Sequence, residues 1–437
     1  MNIIKIAKRT GWVVVVLAAL YVVALVISGV KLRNAQAELV AAGYPTKVEQ
    51  VIPPPVKDED NAALLYQAAV QRLKSEAVGG TNLFVRLNTL AASPDNQASQ
   101  AGSNELVQFL GNPAVTEALH FVELGSVKPA CRFNMDYTRG MYMETPHISD
   151  IRGLSRIVCA RMRLEAGRGD AVAAWRSAKT ALAVADALKK DTLLIGYLVR
   201  LAQIGISCEA IRDMCVHIPV GEPDRNALDW TLSSMDNNES LRCALFGERI
   251  LGVAWIYDET ASGRVSLSKL LSIGEAEKGL GILDIYPRIR PLFQLDHAAY
   301  LRGCLELHRL AERSVRDTAS MDEHEFENRV PPPYLVARML FPVIPGVIKK
   351  QGMGAAEIRL TRATLAVSAY KQKTGGWPKD LDAAGCGTLL DPYTGKPFVY
   401  RLDERGPMVY SVGPDLKDDG GQPFNKGTRK GDIVWRP

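Results

Sequence analysis

The chain has 437 residues, 47% of them hydrophobic and 23% charged, an ordinary composition for globular protein in two or three domains. Its net charge of +5 is carried by Lys5, Lys8, Arg9, Lys31 and Arg33, since no acidic residue precedes Glu38. Taking those five from 53 basic residues leaves 48 against 48 acidic ones, which excludes a polyanion-binding body and with it a nucleic-acid partner.

Thr10 to Val30 is uncharged. As a helix it spans roughly 30 Å, the thickness of a bilayer's hydrocarbon core. Trp12 stands where an interfacial aromatic anchors the entry. A cleaved signal peptide is the competing reading, with Ala35-Gln36-Ala37 as its cleavage site. The run is longer than a signal core, so an uncleaved anchor is expected. Three basic residues precede the span and two follow it, which favours a cytoplasmic N-terminus. The expected protein is a single-pass protein of the inner (cytoplasmic) membrane, with residues 1–9 as a cytoplasmic tail, 10–30 as the anchor and the bulk extracytoplasmic.

Residues 31–57 read as a linker, since Pro53-Pro54-Pro55 is incompatible with helix and favours an extended spacer. From 58 to 350 the apolar spacing is helical. Asp60 or Asn61 caps the run Ala62 to Leu73, and Asn112 with Pro113 opens another helix. The segments "ISDIRGLSRIVCARMRLEA" and "GDAVAAWRSAKTALAVADAL" flank Gly167-Arg168-Gly169-Asp170. Gly167 suits a left-handed helix end and Asp170 the next N-cap, so an antiparallel hairpin is expected. That hairpin resembles one unit of a tetratricopeptide-type repeat, without a fixed period along the chain. The apolar stretch Tyr334 to Ile348 is interrupted by Pro342 and Pro345, and reads as core or as a membrane-surface segment. The seven cysteines show no CxxC and no zinc spacing; Cys208 and Cys215 lie too far apart on a helix to bridge.

Residues 351–437 change character. A helix ending at Gly375-Gly376 is followed by the β-type runs "PFVYRL", "MVYSV" and "DIVWR", with "DERGP" as a hairpin loop. The order "AYKQKTGGWP", "LLDPYTGKPFVY", "YSVGPDLKDDGG", "DIVW" resembles the C-terminal globular region of the major pseudopilin of type II secretion systems. The resemblance covers about a sixth of the chain, a small-domain-sized unit. It departs at the other end, where Val16 stands at the position of the family's Glu. More loosely, the whole chain resembles a set of bacterial membrane-anchored exported proteins, which implies no activity. The fold expected is therefore mainly α: a transmembrane helix, a helical-hairpin domain, and a small α+β pseudopilin-like module with antiparallel strands.

The pseudopilin resemblance implies a calcium site, with Asp415 and Asp432 as carboxylate ligands, Asp418 or Asp419 as further candidates, and the Val412 carbonyl nearby. Calcium takes six to eight oxygens, which a Gly-rich acidic loop can supply. An EF-hand is excluded, because Lys417 and Lys426 fall on positions three and twelve. The alternative is a solvated turn. No HExxH, GxSxG, P-loop or dinucleotide fingerprint occurs. None of His120, His147, His217, His297, His308 and His324 falls in a catalytic or metal motif. The expectation is a non-enzymatic, membrane-tethered scaffold or adaptor for an unidentified protein partner. A component of a type II secretion or pilus-like machine is the first alternative, and a helical-domain hydrolase the second.

Overall fold

The computed structural model describes residues 2–92, 100–271, 281–321, 330–341, 343–425 and 427–437. His324, Pro342 and Lys426 lie outside them. The fold is mainly helical, with a long apolar N-terminal helix and a small C-terminal three-stranded antiparallel sheet.

Helix α1, Asn2–Ala41, is continuous. It runs on through the first eleven residues of the segment expected as linker, because 31–41 has a docking face. Ser28, Ala35 and Leu39 recur on one side and are buried, while Val13 to Val23 are exposed. The extended stretch 53–57 leads into α2, Ala62–Lys74, capped by the Asn61 side chain on Ala63 N at 3.1 Å. Then follow α3, Leu83–Ala92; α4, Gln100–Leu110; and α5, Pro113–Ser126, capped by Asn112 as its sequence predicts.

Helices α6, Pro146–Gly167, and α7, Ala171–Asp186, form the expected hairpin, and Asp170 accepts from Ala173 N at 3.1 Å. The left-handed residue is Gly169 (φ +75°) and not Gly167, because the helix carries on through Gly167 before the chain reverses. Helix α8, Leu194–His217, packs against both. It is apolar enough to cross a membrane by composition, yet it is mostly buried. Its Arg200 reaches Asp186 at 2.5 Å and its Arg212 reaches Glu357 at 2.7 Å. These helices, with α9, Glu222–Met235, enclose one apolar core.

A second core gathers α1, the start of α8, α10 (Glu239–Gly247), the π-helical turn Glu248–Ala254, α11 (Trp255–Ala261), α12 (Leu267–Leu271) and Tyr286, which follows α13 (Gly281–Ile285). It closes with α14, Arg290–Ala311, and α16, Leu335–Leu340, while α15, Val315–Ala319, between them packs on a third core. Helix α17, Val343–Thr374, starts eight residues before the 350/351 boundary read from the sequence. Pro345 falls in its first turn, where a missing N–H costs nothing. Val336, Phe341, Ile344 and Ile348 are buried, so the apolar stretch around them is core. Three faces of α17 enter three cores: Ile344 and Ile348 the second, Ile358 and Leu365 the first, Leu360 and Ala363 the third.

That third core is the C-terminal sheet. Strands β3, Val399–Asp403, and β4, Gly406–Ser411, pair through the two-residue turn Glu404-Arg405. Strand β5, Ile433–Trp435, pairs antiparallel with β4. Short β1 and β2, Ala77–Val78 and Thr81–Asn82, make a separate hairpin.

Candidate functional site

The acidic loop joins β4 to β5. Tyr410 pairs with Val434 and Ser411 with Ile433, so the strand ends carry Asp415 and Asp432 to the same place. Gly413 (φ +75°) and Gly431 (φ +105°) cross there. A Cβ on Gly413 would lie 2.5 Å from the Gly431 carbonyl, so the close approach requires glycine. Asp432 is buried, Asp415 half-buried, and Asp418 and Asp419 exposed. Asp432 accepts Gly421 N at 2.6 Å on one oxygen and Asp419 N at 3.3 Å on the other. Asp415 accepts Lys417 N and Gly431 N. Asp418 accepts the Tyr410 hydroxyl and Gly420 N, both at 2.9 Å.

These bonds set the electrostatics. Burial pushes the Asp432 carboxyl above its usual range, against the pull of its two amides. Gly420 N and the Tyr410 hydroxyl hold Asp418 below its usual range. Burial and the Asp418 bond push Tyr410 up to about 12. The fold thus brings Asp415 and Asp432 together and wraps the 418–421 backbone around Asp432. Both oxygens of Asp415 and of Asp432 accept backbone amides. As placed, the four aspartates do not converge on a metal, and among the described residues no three His, Cys, Asp or Glu side chains do.

A concavity lies elsewhere, a cleft of about 1010 Å³ between the 50–56 segment, α2, the α5–α6 link, the end of α7, α9 and α10. Pro53, Pro54, Tyr66 and Trp230 give it apolar walls; Trp230 is 75% exposed. Its charged lining is five bases, Lys128, Arg132, Lys179, Lys189 and Lys190, against Asp186 and Glu239. Lys189 and Lys190 share Glu239. Asp186 is already held by Arg200 from behind the wall. Arg132 Nε is shielded from solvent and has no hydrogen-bond partner among the described residues. Burial pushes the Cys131 thiol up to about 12, so it stays protonated at neutral pH and is a poor nucleophile.

Two buried polar clusters went unread in the sequence. His147 Nε2 meets Asp191 Oδ2 at 2.8 Å, and His147 stacks on Phe133 at 4.6 Å. Asp191 also accepts Leu193 N, so the pair clips the start of α6 to the α7–α8 link. Asp296, fully buried in α14, accepts the hydroxyls of Tyr257 and Tyr286 and the amides of Val336 and Ala337, all within 2.9 Å. It neutralises the start of α16. A lone Asp in a helical run carries no signal of such a role. For the cleft, the proline run and the Lys189-Lys190 pair were the only traces.

Comparison with protein families, with curated proteins and with solved structures finds no match to this chain.

Proposed function

We propose that the protein is a membrane-tethered scaffold or adaptor, its body outside the cytoplasm, which holds a segment of a partner protein in the cleft beside Trp230. The carrying observation is the division of α1. Thr10 to Val23 is apolar and exposed, as an anchor requires, while one face of the second half packs against α14 through Ser28, Ala35 and Leu39. Cleavage at Ala37 would remove Ala35 from that core, which supports retention of the helix. The cleft's surplus of bases and its exposed Trp230 support an acidic partner segment.

A photo-crosslinking residue at position 230 of the full chain, in native membranes, tests this. One adduct is expected, absent with the crosslinker at position 216 and lost on Lys189→Glu with Lys190→Glu. Adducts that ignore position and charge overturn the cleft reading. Maleimide reaching Val172→Cys only after the outer envelope is permeabilised, with the cytoplasmic membrane intact, supports the orientation; labelling that also requires the cytoplasmic membrane to be broken overturns it.

The secretion-machine reading is favoured by one observation: α17 lays a face along the β3–β4–β5 meander, as the pseudopilin resemblance implies. Stoichiometric co-purification with components of such a machine would select it.

A further inference from the structure

The globular body reaches down alongside the apolar part of α1. The Ser28 hydroxyl donates to Gln294 Oε1 at 2.7 Å, and Arg302 pairs with Glu38 at 3.2 Å. These partners are 266 and 264 positions apart, so α1 and α14 run parallel in nearly constant register. On that register Ile289, at the head of α14, stands level with Val23. Lys31 is the first charge after the apolar run. The seven helical residues between Val23 and Val30 cover about 10 Å. The uncharged run is only just long enough to cross the hydrocarbon at roughly 30 Å. The head of α14 is therefore carried into the bilayer's boundary layer, to the roughly 5–10 Å depth at which interfacial segments lie.

The residues at that level suit the place. Ile285 is 54% and Ile289 45% exposed, with Arg288 and Arg290 exposed between and beside them. Pro332 and Pro333, also exposed, are held against this end through the Tyr286 hydroxyl, which accepts the Leu335 amide at 3.2 Å while donating to Asp296. The Asp296 cluster fixes Tyr286 and the start of α16 from within, so the edge is rigid. Isoleucines that are wasteful in water are favourable against acyl chains, and guanidinium groups bind lipid phosphates in bidentate fashion.

We infer that this edge, Ile285 to Arg290 with Pro332 and Pro333, is a membrane-docking surface that inserts into the interface of an anionic phospholipid bilayer and holds the body against the membrane. The inference rests on α1 being a membrane span, and the test separates the two.

The full chain is reconstituted in vesicles of phosphatidylcholine with phosphatidylglycerol, with an encoded environment-sensitive fluorophore at position 16, 289 or 309. Lipids carrying a nitroxide quencher at shallow or deep acyl positions report depth. Position 289 is expected to lose most of its emission to the shallow quencher, and position 16 most of its emission to the deep one. Position 309, about 30 Å further along α14, is expected to lose none. Quenching at 16 without quenching at 289 leaves the anchor standing and overturns the docking surface. No quenching at 16 overturns the anchor and the surface together. Arg288→Glu with Arg290→Glu is expected to reduce shallow quenching at 289 in anionic vesicles to the level in pure phosphatidylcholine. Unchanged quenching would overturn the role of lipid phosphate, as would competition by free inorganic phosphate.

Discussion

His308 illustrates how far a single residue departs from its expectation once packed. In the sequence it is one of six histidines without a motif. In the fold it is 4% exposed, ringed by Tyr44 at 4.9 Å and Phe246 at 4.7 Å, with neither ring nitrogen bonded among the described residues. Burial, helped by Arg249, lowers its pKa from 6.5 to about 3. The unfolded chain therefore binds the extra proton between those values and the folded chain does not. The neutral ring's contribution to stability is complete above pH 6.5 and falls as pH drops towards about 3. Chemical denaturation of the wild type and His308→Phe from pH 7.5 to 4 checks this. The difference in unfolding free energy should shift in favour of the variant as pH falls; a pH-independent difference would refute it.

At the scale of the element, the β4–β5 loop behaves as an amide-bonded turn centred on Asp432. Asp432→Ala leaves the amides of Asp419 and Gly421 short of acceptors, at a cost of about 1–3 kcal/mol. The melting temperature of the full chain should fall by the same amount in millimolar calcium and in chelator. A rise with calcium in the wild type, lost in Asp415→Ala with Asp432→Ala, would instead mark the loop as a calcium site. The strands themselves were legible: alternation and turn residues placed β3, β4 and β5 to within two residues. The contact of Asp415 with Gly431 followed from strand pairing. The direction of each carboxylate did not, because backbone amides and a cation compete for the same oxygens and local sequence does not rank them.

For the whole molecule, α1 and α17 are the members that couple its parts. Deleting residues 2–24 removes the exposed apolar run Thr10 to Val23 and should yield a water-soluble body with an unchanged melting temperature. Deleting residues 2–41 also strips Ala35 and Leu39 from the second core and unpairs Glu38 from Arg302. Leu39 alone contributes about 2–3 kcal/mol through burial, so this form should melt many degrees lower or aggregate. Size-exclusion chromatography and calorimetry on both forms decide; equal stability would show that the second half of α1 does not belong to the core. Residues 355–437 alone would likewise expose Ile358 and Leu365 and lose the ion pairs of Arg359 with Asp236 and Arg362 with Asp229.

Periodicity, caps and turn residues by themselves determined the long apolar helix, the α6–α7 hairpin, the caps at Asn61, Asn112 and Asp170, and the three-stranded end, because each depends on neighbours a few residues apart. Tertiary structure alone decided that α1 continues to Ala41 and that α17 serves three cores. It also set Asp296 between two tyrosines, and walled the cleft with segments from Gln50 to Phe246. Those outcomes depend on which faces meet across hundreds of residues, where burial rewards any apolar pairing of the right shape and the local sequence does not name the partner.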